Sequence, residues 1–285
     1  MNNISLNGVN TKKFISLLKR SSSMDNLIFI TLNGSEFEST AYNKTKSALK
    51  AVYANLEKVC DCINNPFDGP VKIQFANANK LIQVLSLAGN ENVSVVFDVE
   101  DNNYAKKVYV KNDEVNLTVA CADKAAVDFL EIPEANKKSI FEDMTNLQYS
   151  ISINDNEFKY LSNLFSLDKD SVRVFFNLVD GEVYVSEIES TDENVRSEVN
   201  EIINESNYEA FQKYEKLYSK KLNLVELDNP KDLKNHLACY NKLYFDWIDN
   251  DKFYYVEFHS NKVKFISYND EDVKTYVVLT PVRFA

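Results

Sequence analysis

The feature that most constrains this chain is that it begins twice. "ISLN" at residues 4 to 7 returns as "ISIN" at 151 to 154, and Asn33-Gly34 is matched by Asp180-Gly181, each pair 147 positions apart. A single offset shared by two separate stretches marks an internal duplication, so each half is expected to fold as one copy of the same unit. Comparable segments lie between the matches. An amphipathic stretch with Phe14, Leu17 and Leu18 corresponds to one with Phe158, Leu161, Leu164 and Phe165, and the apolar run "NLIFITL" corresponds to "VRVFFNLV". Asn-Gly and Asp-Gly favour the positive backbone angles of two-residue hairpins, so each half reads as strand, helix, hairpin.

A second helix is expected in each half, "NANKLIQVLSLAG" (77–89) and "NPKDLKNHLACYN" (229–241), the latter with Asn229 as N-cap and Pro230 in its first turn. Alternating strands follow: "VSVVFDV", "KKVYVK" and "EVNLTVAC" in one half, "FYYVEFH", "KVKFIS" and "KTYVVLTPV" in the other. Residues 204–221, free of Gly and Pro and with Tyr208, Phe211, Tyr214, Leu217 and Tyr218 near helical spacing, predict a packed accessory helix. A linker with Pro133 and "EANKK" runs from about residue 131 to 146, giving domains 1–138 and 139–285, a division that suits a length of 285 residues.

Several classes of chemistry are excluded by counts. Only five glycines occur, none close enough to another to form a dinucleotide fingerprint or a phosphate-cradling loop. His236 and His259 do not form the paired ligands of a zinc protease, and Cys60, Cys62, Cys121 and Cys239 are too scattered for a disulfide framework or thiolate site, which leaves them as small buried or semi-buried residues. The acidic stretches 98–103 and 269–272 lack the central Gly of a calcium loop and read as solvated turns. The expectation is a chain without catalytic residues, metal or cofactor. With no apolar run long enough to span a bilayer and no signal-peptide pattern at the N-terminus, it is expected to be intracellular.

The formal net charge is −11, yet Lys12, Lys13, Lys19 and Arg20 crowd one short helical stretch. On a helix, Lys12, Ser16 and Lys19 share a face with Lys13 and Arg20 beside it, opposite Phe14, Leu17 and Leu18. The same projection of 229–241, carried on to Lys242, groups Lys231, Lys234, Asn235, Ala238 and Lys242 against Leu233, Leu237 and Tyr240. The other two helices add Lys80 with Gln83, and Lys159 with Asn156 and Ser162. Basic faces in an acidic protein call for a local polyanion, and sequence-independent contact with phosphates needs no more.

Two tandem strand–helix–strands–helix–strands units with basic helices in an acidic chain resemble the DNA sliding clamps, and phage replication clamps in particular. "KKFISLLKRSSSMDNLIFITLNG" and "LIQVLSLAGNENVSVVF" are similar to segments of phage clamps, and the terminal "TYVVLTPVRFA" resembles the closing strand of bacterial clamps. The resemblance implies an α+β fold of two clamp-type domains, with sheets outside and two helices per domain facing a central hole. It also makes residues 45–60 a strand, although their propensity is helical. Six such domains close a ring, so two per chain imply a homotrimer that tethers a replicative DNA polymerase to duplex DNA, in the cytoplasm of a bacterial host if the chain is phage-encoded. The DNA-facing residues would be Lys12, Lys13, Lys19, Arg20, Lys80, Lys159, Lys231, Lys234 and Lys242. Polymerase and clamp loader would insert short hydrophobic peptides against Ile132, Ile140, Phe141, Leu279, Pro281 and Val282. The rival expectation is a monomeric or dimeric processivity or single-strand-binding protein with an open basic face.

Overall fold

The computed structural model describes residues 3–22, 27–43, 47–100, 102–127, 131–142, 145–165, 173–188, 197–198, 201, 210–211, 217–269 and 272–281. The chain divides into two units, Met1–Ile140 with Tyr268–Tyr276, and Phe141–Ser267 with Val277–Ala285. No helix among the described residues is long and apolar enough to cross a membrane.

The first unit runs β1 (Asn3–Asn7), α1 (Thr11–Ser21), β2 (Ile28–Asn33), β3 (Glu36–Tyr42), β4 (Ala48–Asn55), β5 (Cys62–Asn64), β6 (Val71–Phe75), α2 (Ala78–Ala88), β7 (Ser94–Val99), β8 (Ala105–Lys111) and β9 (Asn116–Ala120), then short helical turns α3 (Lys124–Val127) and α4 (Glu134–Lys137). Antiparallel pairing gives the orders β5-β1-β7-β8-β9 and β4-β3-β2-β6. Ile4, Leu6, Ile30, Val95 and Phe97 from the strands close one core with Phe14, Leu17 and Leu18 of α1 and Leu81 and Leu85 of α2. Helix α1 starts where the Asn10 side chain accepts from the Lys13 N–H at 3.2 Å, and α2 stops at Gly89, whose φ of +73° continues no helix. Of residues 45–60, made a strand by the clamp resemblance, Ala48–Asn55 form one and Leu56–Lys58 form a 3-10 turn. Full pairing with β3, from Glu36↔Asn55 to Tyr42↔Leu49, outweighs the helical propensity of the strand residues.

The second unit repeats this strand order: β10 (Leu147–Asn154), α5 (Asp155–Phe165), β11 (Arg173–Val179), β12 (Glu182–Ile188), β13 (Leu217–Lys221), β14 (Glu226–Asp228), β15 (Asn235–Asn241), β16 (Phe253–His259), β17 (Lys262–Tyr268) and, from Val277 on, β18 (Lys274–Leu279). β10 lies between β14 and β16 as β1 lies between β5 and β7, and β11 lies between β12 and β15 as β2 lies between β3 and β6. The hairpins also recur, one residue out of step with the sequence match. Asn33 ends β2 paired with Glu36, leaving Gly34-Ser35 as the turn, whereas Asp180 and Gly181 both turn, with φ of 48° and 83°.

Two expectations fail in this unit. The helix expected over 229–241 is instead a loop and strand β15, the counterpart of β6. Asn229 closes the loop by accepting from the Leu233 N–H at 3.0 Å and donating to the Leu233 carbonyl at 2.7 Å. Asp232 sits at φ 49°, outside helical space, and β15 then pairs residue by residue with β11. The second helix has no counterpart of its own length: where α2 stands between β6 and β7, a 3-10 turn, Lys242–Trp247, stands between β15 and β16. The accessory helix expected over 204–221 fails at its end, since Leu217–Lys221 is strand β13, while Ala210 and Phe211 are helical and Phe211 is buried against Phe175; residues 204–209 and 212–216 lie outside the described residues.

The second core is aromatic. Tyr149 stacks on Phe258 at 4.3 Å between centroids, Phe158 stacks on Tyr254 at 4.2 Å, and Phe176 meets Phe258, Phe245, Tyr240 and Phe265. Buried charge accompanies it. Lys264 Nζ lies 2.5 Å from Glu257 and donates to the Phe141 carbonyl at 2.9 Å, and His259 Nε2 lies 3.1 Å from the same carboxylate.

Candidate nucleic-acid interface

Helix α1 carries four basic residues and no acid in its eleven positions, and its apolar side is fully used by the core. Lys12, Ser16 and Lys19 are exposed on the opposite side. Lys13 is half-buried and its Nζ donates to the Lys58 carbonyl at 3.2 Å, while Arg20 Nη1 lies 3.5 Å from Thr275 Oγ1. Helix α2 packs beside α1 and exposes Asn79, Lys80, Gln83, Ser86 and Leu87. In the first unit, then, Lys12, Lys19 and Lys80 project into solvent, and their helices are held rigidly by the sheets behind them.

Helix α5 has the same eleven-residue length as α1 and follows the corresponding strand. Its outer positions are Asn156, Lys159, Tyr160, Ser162 and Asn163, all exposed. Lys159 pairs with Asp155 at 3.1 Å. Glu157 turns inward. Burial raises its pKa, but hydrogen bonds from Lys220 and from the Asn223 backbone and side-chain N–H groups outweigh this and hold the carboxyl below the usual glutamate range. Lys220 also lies over the Tyr160 ring, 4.4 Å from its centroid. The Tyr160–Lys220 pair was not anticipated from the sequence: Tyr160 falls on the outer face of the projected helix, but nothing in its surroundings points to a lysine sixty positions on.

The remaining candidates separate. Lys231 and Lys234 are exposed in the loop before β15 and not on a helix, with the Lys234 carbonyl accepting from the Asp180 N–H at 2.9 Å at the hairpin end. The outward-facing helical position expected for Lys242 is corrected: it opens the 3-10 turn, and its ammonium is ion-paired with the fully buried Glu187. Further back on β15, His236 packs against Tyr149 and is held neutral, burial pushing its pKa down to about 4. Of the expected peptide-contact residues, Ile132, Phe141 and Leu279 are buried, Ile140 and Pro281 are partly exposed, and Val282 lies outside the described residues.

A duplicated unit of paired antiparallel sheets with helices laid on them, in this strand order, is the fold of the DNA sliding clamps. The likeness to solved structures extends over the whole chain. The A. fulgidus PCNA bound to the C-terminal region of FEN-1 matches with a TM-score of 0.67 at 13% identity, over 99% of both chains. PCNA from Thermococcus kodakaraensis matches at 0.64 and 12% identity, over 98% of this chain and 100% of that one. The PCNA2-PCNA3 complex from Sulfolobus tokodaii gives 0.62 and 9% identity, over 97% and 98%. No family model and no curated protein matches the sequence. The PCNA-like clamp fold is therefore the level at which the likeness holds, and it does not extend to a phage assignment.

Proposed function

We propose that this chain is a non-catalytic sliding clamp that encircles duplex DNA as a homotrimer and tethers a replicative polymerase to it. The observation that carries the reading is the likeness to PCNA over essentially all of both chains, in a molecule whose α1 presents lysines without an acid. A polyanion threaded past such a face would be held without regard to sequence, by release of counterions. Closure into a ring would use strand edges: β9 and β13 end their sheets, and an edge strand is a ready template for a strand of another copy. Partners are proposed to attach by short hydrophobic peptides, with the connector and the C-terminal tail as the segments to test. The FEN-1 tail bound to the A. fulgidus PCNA is consistent with that mode.

Native mass spectrometry tests the assembly. Three chains at micromolar concentration are expected; a monomer at every concentration would contradict the ring.

A further inference from the structure

Counted from their first residues, α1 and α5 can be compared position by position. Phe14 and Leu17 of α1 recur as Phe158 and Leu161 of α5, buried in both. The outer row changes character: Lys12, Ser16 and Lys19 become Asn156, Tyr160 and Asn163, again spaced i, i+4, i+7 and again exposed. The net charge of the helix changes with it, from four basic residues and no acid in α1 to Asp155, Glu157 and one lysine in α5. The cations beside these acids are engaged, Lys159 with Asp155 and Lys220 with Glu157, while Lys231 and Lys234 stand apart in the loop before β15. The expected second basic helix is absent, and Lys242 is paired with Glu187. Tyr160, a large ring 62% exposed, sits centrally in the outer row with Lys220 over its face.

We propose that helix α5 contacts the DNA backbone through uncharged hydrogen-bond donors, the Tyr160 hydroxyl and the Asn156 amide, while the ionic contact made by the helix faces is left to α1 and α2. Asn and Tyr side chains are ordinary donors to phosphate oxygens and displace no condensed counterion of their own. Lys220 covers one face of the Tyr160 ring and limits its rotamers, so its hydroxyl is presented at reduced entropic cost. Base stacking is disfavoured as its role, because in a duplex the base faces are already covered by one another. The inference rests on the clamp reading and divides its DNA contact into a salt-dependent and a salt-independent part.

The test is a fluorescence-anisotropy titration of a short duplex at several salt concentrations, using the full chain and two double variants, Asn156→Ala with Tyr160→Phe, and Lys12→Gln with Lys19→Gln. Thermal melting confirms that each variant is folded. The α5 variant is expected to bind roughly three- to tenfold more weakly at every salt concentration, with an unchanged slope of log K against log salt. The α1 variant is expected to lower that slope by about 0.9 per lysine removed. If the α5 variant binds like the parent while the α1 variant is weakened, the uncharged contact is wrong and the clamp reading stands. A reduced slope in the α5 variant would also overturn it, since the contact would then be ionic. If neither variant is weakened, the helix faces are not the DNA interface and the clamp reading falls with the proposal.

Discussion

In the first unit the interior is mostly aliphatic, with Ile4, Leu17, Ile73, Leu85 and Val95 filling the space between strands and helices, and two full helices cover it. In the second the same space is filled by the rings of Tyr149, Phe158, Phe176, Phe245, Tyr254 and Phe258, and among the described residues α5, a 3-10 turn and the buried Phe211 cover it. Eleven residues (242–252) join β15 to β16 where eighteen (76–93) join β6 to β7, too few for the turns of α2 and the loops at both its ends. The Phe245 ring, supplied by that short turn, packs against Phe165, Phe176 and Phe265 and contributes to the core as α2's leucines do in the first unit. The comparison shows that strand order survived duplication while the means of filling and covering the core diverged, and the outer charge diverged with it.

The largest expected effect follows from the convergence of rings on Phe176. Phe176→Ala should cost about 3–5 kcal/mol, against about 1 kcal/mol for Ile73→Val in the first unit. Hydrogen exchange should show lost protection in β11, β15 and β16 with β2, β6 and β7 little changed. Equal loss in both units would mean that they do not respond separately.

A second contrast concerns acid. His236 has its pKa depressed by burial from 6.5 to about 4. The unfolded chain therefore binds the extra proton first, so the neutral ring's contribution is complete above 6.5 and is lost as pH falls toward 4. Glu157 and Glu257, whose carboxyls are held below their usual range against the raising effect of burial, extend that loss to lower pH as each is forced to protonate. Chemical denaturation of the parent and of His236→Leu across this range should show roughly 1–3 kcal/mol of pH-dependent stability in the parent and a flatter profile in the variant. Parallel profiles would remove His236 from the account.

A smaller effect is expected at the hairpins. Gly34→Ala and Gly181→Ala, both at positive φ with open space around the added methyl, should each cost about 1 kcal/mol from backbone strain alone, measured by thermal melting. A much larger loss at Gly181 would show that the Asp180-Gly181 turn matters beyond its own geometry.

Much of the fold was legible because the features that encode it are local and repeated. Matching strand starts, turn dipeptides and apolar faces located β1, α1 and β2 and their counterparts β10, α5 and β11. The stretch 229–241 was not legible because its apolar residues fit helical spacing by coincidence. As a strand, β15 buries Ala238, Cys239 and Tyr240 in succession, so it lacks the alternation of a half-exposed strand. The signal against a helix was "VKIQF" at 71–75: a duplicated unit with a strand before its second helix requires one there in the other half too. On the candidate interface, the exposed row Lys12, Ser16, Lys19 followed from a projection, since the core face determined it. The pairings Lys242–Glu187 and Lys220–Glu157 join residues distant in sequence and could be seen only in three dimensions.

The claim at the centre of this account is that the protein holds DNA by encircling it, and retention on a circle tests it most directly. The protein is loaded on nicked circular plasmid, the plasmid is cut once with a restriction enzyme, and the bound fraction is followed by gel filtration in moderate salt. The account predicts persistence on the circle and rapid loss after cutting, slowed when both ends are blocked by bound proteins. Equal retention before and after the cut, with unblocked ends, would contradict encirclement and leave direct surface contact as the way this protein holds DNA.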